Sequence, residues 1–86
     1  MSRRSAHAFD VSQAPLERRT AEAWAKRAIR AFKRAARTGD RSALLEGEDH
    51  RHEALEHGAL VSDHGRTVAR LQRAMDAARD RAWRTA

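Results

Sequence analysis

The apolar residues of the chain recur with a helical period in three separate stretches. In the first stretch they return every three or four positions, so one side of a helix would carry a continuous apolar stripe. Pro15 suits the first turn of a helix, and Gly39 suits the left-handed position that follows one. We therefore predict a helix over residues 15–37. Its apolar stripe consists of Ala21, Trp24, Ala25, Ala28, Ile29, Phe32, Ala35 and Ala36.

A weaker apolar stripe follows the break at Gly39. It consists of Leu44, Leu45, Leu55 and Ala59, with His52 on the same side. Asp40 or Ser42 can cap a helix at this point. Gly47 and Gly58 each cost a helix interior about 1 kcal/mol relative to alanine, which weakens the pattern. We predict a helix over residues 41–60.

The third stretch has alternating three- and four-residue spacing, which is typical of a helix with a narrow apolar seam. The seam consists of Val68, Leu71, Met75, Ala78 and Ala82. We predict a helix over residues 66–84, with Asp76 pairing to Arg79 and Asp80 to Arg84 along it. Residues 1–13 show no period and are predicted to be a mobile arm. The fold class that follows is all-α, a small three-helix bundle over residues 14–86.

The stretch EHGALVSDHGRTV, residues 56–68, contains an acidic residue, a histidine and a glycine twice, seven positions apart. The two glycines mark helix boundaries, since the second helix weakens after Gly58 and the third starts at about Gly65, where Ser62 or Asp63 can cap it. We interpret the repeat as the corner between the second and third helices. Two histidines beside carboxylates at such a corner could make it sensitive to pH near neutrality.

Size and composition limit the core of this protein. A chain of 86 residues forms one domain with a thin margin of stability, and its nineteen alanines bring little apolar area each. Self-association or a stable partner would supply the missing buried area, so we predict a homodimer or a stable complex. There is no cysteine, and no apolar run approaches membrane-spanning length, which indicates a cytoplasmic protein without a membrane segment.

Charge is distributed unevenly along the chain. The formal net charge is +6, and it divides into +7 for residues 1–41, −5 for residues 42–65 and +4 for residues 66–86. A strongly basic protein suits an acidic partner, of which nucleic acid is the first choice. In a three-helix bundle the first and third helices would present basic surfaces and the second an acidic one.

The outward side of the predicted first helix is almost entirely basic. Exposed helix faces usually mix both signs of charge, whereas here Glu22 alone lies near the border. We predict that this side, helped by the third helix, binds nucleic acid or a nucleoprotein complex through phosphate contacts that do not depend on base sequence. The candidate residues are Arg19, Lys26, Arg27, Arg30, Lys33, Arg34 and Arg37, with Arg27, Arg30, Arg34 and Arg37 as the central ones. The outward arginines of the third helix are Arg66, Arg70, Arg73, Arg81 and Arg84.

The outward side of the predicted second helix supports an alternative from another class of function. An acidic helix face suits a basic protein surface, as in a protein-protein inhibitor or adaptor. The candidate residues are Glu46, Asp49, Glu53 and Glu56, with His50 and His57 beside them.

Enzymatic and metal-binding patterns are incomplete. His50, His57 and His64 are seven residues apart, but a structural zinc site needs four ligands, and HEALEH places its second histidine one residue too late for a zincin motif. Ser62, Asp63 and a nearby histidine are the residue types of a hydrolase, although capping explains the first two. Ala54 and Gly58 have the spacing of a helix-turn-helix, but His64 and Thr67 fall where that motif needs apolar residues. We predict a protein that is not an enzyme and has no cofactor or metal.

In size, helical content and charge separation the chain resembles small accessory proteins of bacteria and their phages. Regulators, antitoxins and inhibitors of defence complexes belong to this type. The resemblance implies a non-enzymatic regulator or inhibitor and assigns no residues.

Overall fold

The computed structural model describes residues 14–59 and 65–85, with side chains from 16–59 and 69–85. It contains three helices: α1 (Ala14–Thr38), α2 (Arg41–Gly58) and α3 (Gly65–Thr85). The predicted fold class, a small all-α three-helix bundle, is confirmed, and the predicted helix ends differ from the observed ones by at most two residues. The predicted N-terminal arm (residues 1–13) and the corner residues 60–64 lie outside the described residues.

The break between α1 and α2 has the predicted stop and cap. Gly39 adopts φ 73°, and its N–H donates to the carbonyl oxygen of Ala35 at 2.8 Å. Glycine is favoured there because a residue with a Cβ is strained in the left-handed region. Asp40 is the N-cap of α2, and its Oδ1 accepts a hydrogen bond from the Ser42 N–H at 2.9 Å. The chain therefore reverses within two residues and brings α2 back against α1.

Helix α1 is the central element of the bundle. It packs against both α2 and α3, whereas α2 and α3 contact each other over a small region. The largest fully buried side chains are Phe32 from α1, Leu44 from α2 and Met75 from α3. Small residues surround these three: Ala25, Ala28, Ala35, Ala43, Ala54, Ala78 and Ala82. The apolar stripe predicted for α1 thus forms the core, and Ala31 joins it as a further buried residue.

The apolar stripe predicted for α2 is wrong, because the side of the helix that it placed in the core is largely exposed. Leu44 is buried, but Leu45 is 52% exposed and Leu55 36% exposed. The buried residues of α2 are Ala43, Leu44, Gly47, Ala54 and Gly58. The reason lies at Gly47, where an added Cβ would come within 2.6 Å of the Phe32 ring. The aromatic ring of α1 occupies the space that a side chain at Gly47 would need. Helix α2 therefore buries Leu44 and its small residues, and leaves Leu45 and Leu55 exposed.

Polar side chains join α2 to α3. Glu48 Oε2 accepts hydrogen bonds from Arg79 Nε and from Trp83 Nε1, both at 2.6 Å. The predicted pairing of Asp76 with Arg79 is therefore wrong, because Arg79 bonds across to α2. Asp76 lies instead 3.5 Å from Arg51 Nε.

The second ion pair predicted within α3 is present. Arg84 Nη2 lies 3.2 Å from Asp80 Oδ2, one helical turn apart. Within the described ranges no helix combines the length and apolarity that crossing a bilayer requires.

Candidate nucleic-acid interface

One side of α1 points away from both neighbouring helices. The cations on it recur at three-, four- and seven-residue spacings, so they fall within an arc of about 60° on the helix circumference. All of them are exposed. We call this set the basic row, and it consists of Arg19, Lys26, Arg30, Lys33 and Arg37. From Arg19 to Arg37 the row is about 27 Å long, at 1.5 Å per helical residue.

The basic row has no ion-pair partner in the part of the chain that the structure describes. Arg34 and Glu17, whose side chains form ion pairs with residues of α2, lie outside the row. The side chains of the row therefore project into solvent with their positive charges uncompensated by neighbours.

Arg34, predicted as a central nucleic-acid contact, lies on the flank of α1 towards α2. Its Nη2 donates to Glu46 Oε1 at 2.7 Å, and the two side chains are 41% and 47% exposed. His50 Nε2 lies 3.4 Å from the other carboxylate oxygen of Glu46. The structure thus brings together one residue from the predicted basic face and one from the predicted acidic face, and each reduces the net charge that the other presents.

Arg27, a second predicted central contact, stacks on an aromatic side chain. Its guanidinium carbon lies 4.7 Å from the centroid of the Trp24 ring, a cation–π arrangement. The same ring packs against His50, with centroids 5.2 Å apart and planes tilted by 40°. Arg27 is exposed, but its position is tied to the contact between α1 and α2 through Trp24.

Of the four acidic residues predicted on α2, two have a charged or titratable partner and two have none among the described residues. Glu46 faces Arg34, and Glu53 lies 3.8 Å from Nε2 of His57. Asp49 and Glu56 are exposed and have no ion-pair partner among the described residues. Therefore two of these four acids, Asp49 and Glu56, are exposed on α2 without an ion-pair partner among the described residues.

The outward side of α3 is also basic, although less continuously than the basic row. Arg70, Arg73 and Arg81 are exposed, and Arg84 is exposed but paired with Asp80. The side chain of Arg66, also predicted there, lies outside the described residues. Among the described residues, α3 supplies three exposed arginines without an ion pair.

Among the polar contacts between helices that the sequence did not predict, two join residues far apart in the chain. Glu48 bonds to Arg79 and Trp83, and Glu17 Oε1 lies 2.8 Å from Nδ1 of His57. Each joins residues at least thirty positions apart, and periodicity within one helix carries no information about such a pairing. Helical geometry gives a weak indication for Glu48. It lies about 100° around the helix from Asp49, and therefore off the outward side of α2.

A groove of about 210 Å³ is lined by residues of all three helices. Most of the lining residues are small or apolar, among them Ala21, Ala25, Ala54, Gly58, Leu71 and Met75. Glu22 is the one titratable group among its described lining residues. In the described part of the chain no group of three or more histidine, aspartate or glutamate side chains has a geometry that could hold a metal ion.

A comparison of the chain with protein-family models, with curated proteins and with solved structures gives no match. The chemistry of the described residues therefore carries the functional argument. A straight row of exposed guanidinium and ammonium groups is suited to bind a regularly spaced series of phosphates, both by charge and by hydrogen bonding.

Proposed function

We propose that this protein is a non-enzymatic binding module that engages nucleic acid, or a nucleoprotein complex, through the basic row of α1. The observation that supports the proposal most directly is that five exposed cations share one side of the helix and have no acidic partner among the described residues. A ligand with many phosphates would supply the negative charges that the basic row lacks.

A stability argument also supports this proposal. Lys26–Arg30, Arg30–Lys33 and Lys33–Arg37 are like-charge pairs three or four positions apart. Each such pair destabilises a helix by about 0.2–0.5 kcal/mol at low salt, so the row costs roughly 1 kcal/mol in total. That is a large cost for a small domain, and a helix face that served stability alone would alternate the signs of its charges.

The binding we propose does not depend on base sequence. Ala23 is the exposed residue that lies among the cations of the row, and no asparagine, glutamine, serine or threonine shares that side. Those amides and hydroxyls are the groups that read base edges alongside arginine, so their absence from this described face favours phosphate contacts. Arg27 and the exposed arginines of α3 add positive charge at the sides of the row.

The experiment that tests the proposal measures binding of a fluorescent DNA duplex by anisotropy. The double charge reversal Arg30→Glu and Arg37→Glu should abolish binding and leave the circular dichroism spectrum helical, because both side chains point into solvent. Arg34→Gln serves as the matched control, since Arg34 belongs to the same helix but is held by Glu46, and it should bind nearly as well as the unaltered protein. Retention of full affinity by the double variant would refute the proposal.

The alternative function, an inhibitor or adaptor that binds a basic protein surface through α2, has narrower support. Asp49 and Glu56 remain as outward acids, whereas Glu46 and Glu53 have partners within the bundle. Replacing Asp49 and Glu56 by lysine separates the two functions. The nucleic-acid proposal expects equal or tighter binding of the duplex, and the adaptor proposal expects loss of a captured protein. Either function is consistent with the cytoplasmic location that we propose from the absence of cysteine.

A further inference from the structure

The outward side of α2 has its own regular set of exposed residues. They recur at spacings of four, three and four, which aligns them along one side of the helix. We call this set the α2 outer strip, and it consists of Leu45, Asp49, His52 and Glu56. Leu45 adds an apolar side chain that is 52% exposed, and the two acids have no ion-pair partner among the described residues.

The spacing of the α2 outer strip matches that of the basic row. With Ala23 included, the row also alternates intervals of four and three residues, the spacing at which two helices pack side by side at a shallow angle. Asp49 and Glu56 are seven residues apart, as are Arg30 and Arg37, so each pair spans about 10.5 Å. Opposite charges on the two surfaces therefore come into register when the helices are laid together.

Within one molecule these surfaces cannot meet. Helices α1 and α2 already pack through Phe32 and Gly47, and both the row and the strip point away from that contact. We propose that the basic row of one copy binds the α2 outer strip of a second copy. Charge complementarity, equal spacing and the exposed Leu45 are the grounds for choosing a second copy as the occupant.

The proposed contact is heterologous, because each copy contributes a different surface. Every bound copy still presents one free row or one free strip, so the assembly extends as a chain or closes as a ring. Exposed ion pairs are individually weak and are screened by salt, so the assembly forms at low ionic strength and high protein concentration. Nucleic acid and the strip would compete for the same cations, although the contact between copies does not require that nucleic acid binds.

A charge exchange tests this contact. One variant carries Arg30→Glu and Arg37→Glu, and the other carries Asp49→Lys and Glu56→Lys. Each pair of reversals changes the formal charge of +6 by four, so the variants carry +2 and +10. Both remain positive, and bulk attraction between oppositely charged proteins does not account for any association in their mixture.

Sedimentation velocity at about 0.01 M salt, where the Debye length is roughly 30 Å, gives the readout. The unaltered protein should sediment as a concentration-dependent assembly, each variant alone as a monomer, and the equimolar mixture again as an assembly that disperses in about 1 M salt. Asp80→Lys is the control, since it reverses an exposed acid outside the strip and should leave the assembly intact.

A monomeric unaltered protein at every concentration would overturn the proposal, as would assembly by the Asp49→Lys, Glu56→Lys variant alone or a mixture that stays monomeric. The outcome is separable from that of the nucleic-acid proposal. The Asp49→Lys, Glu56→Lys variant retains the complete basic row, and its binding to duplex DNA is measured independently of its self-association.

Discussion

The two sides of α1 differ in what determines their residues. On the inner side, alanines and Phe32 pack against Leu44, Met75 and the small residues of α2 and α3, and the fit of shapes decides which residue is tolerated. On the outer side, five cations are exposed to solvent, so packing does not constrain the shape of their side chains. The inner side therefore accounts for the fold, and the outer side is the surface to which we assign a ligand in the proposed function.

The same contrast separates charged residues from one another. Arg34 and Glu48 are charged and partly exposed, yet each has a partner on a neighbouring helix. Arg30 and Asp49 carry the same charges a few positions away and have none among the described residues. Position relative to the other helices, and not residue type, distinguishes a charge that joins helices from one that is available to a partner.

The largest effect on stability is expected at the inner side. Gly47→Ala places a methyl group against the buried Phe32 ring, and overpacking of this kind costs about 1–3 kcal/mol. The 2.6 Å approach to the ring is well inside van der Waals contact and places the cost in the upper part of that range, at about 2–3 kcal/mol. The helix gains roughly 1 kcal/mol from replacing glycine, so the net loss should be about 1–2 kcal/mol, measured by urea unfolding. Gly58→Ala is the control, because a Cβ there would have no atom of the described residues within 4 Å. It should be neutral or stabilising, and an equal loss in both variants would contradict this account of the packing.

A smaller effect is expected at the edge between α2 and α3. Glu48→Ala removes the acceptor of Arg79 and Trp83, and because these groups are partly exposed the loss should be about 1 kcal/mol. Asp49→Ala, one position along, should change the free energy of unfolding by no more than about 0.5 kcal/mol. Thermal unfolding of the two variants measures the difference. Equal destabilisation by both would mean that the contact of Glu48 does not stabilise the bundle.

The smallest effect on stability, and one of opposite sign, is expected at the outer side. Arg30→Gln relieves like-charge repulsion with its neighbours on α1 and should raise the free energy of unfolding by about 0.5 kcal/mol at low salt. Arg34→Gln also relieves repulsion but loses Glu46, so it should give no such gain. Urea unfolding at low and high salt compares them. If Arg30→Gln destabilises the protein, the row takes part in the fold and the contrast between the two sides of α1 fails.

Helix positions and the inner stripe of α1 could be predicted from the sequence because they depend on local periodicity. Gly39 and Asp40 marked the break for the same reason, as their roles depend on backbone conformation nearby. Which face of α2 is buried could not be predicted from the sequence. Leu45 and Leu55 carry more apolar area than Gly47, so the pattern favours burial of the leucines. The close approach of the Phe32 ring to Gly47 is a contact between two helices, which the pattern of one helix does not contain.

The candidate site was predictable in part for a related reason. Spacing placed the basic row on one side of α1, and Arg30 and Arg37 are exposed on that side. The pairing of Arg34 with Glu46 depends on how α1 and α2 lie against each other, which helical periodicity does not contain. The hydrogen bonds of Glu48 with Arg79 and Trp83 depend in the same way on how α2 and α3 lie against each other.

The salt dependence of duplex binding tests the central claim most directly. Each phosphate contact contributes a slope of about −0.9 to a plot of log Kobs against log salt concentration, so engagement of the whole row predicts roughly −4 to −5. The double variant Arg30→Gln, Arg37→Gln should reduce that slope by about 2, and Arg34→Gln should leave it nearly unchanged. A slope near zero would contradict the assignment of the basic row as the nucleic-acid interface. A reduction of the slope by Arg34→Gln as large as that by the double variant would contradict it as well.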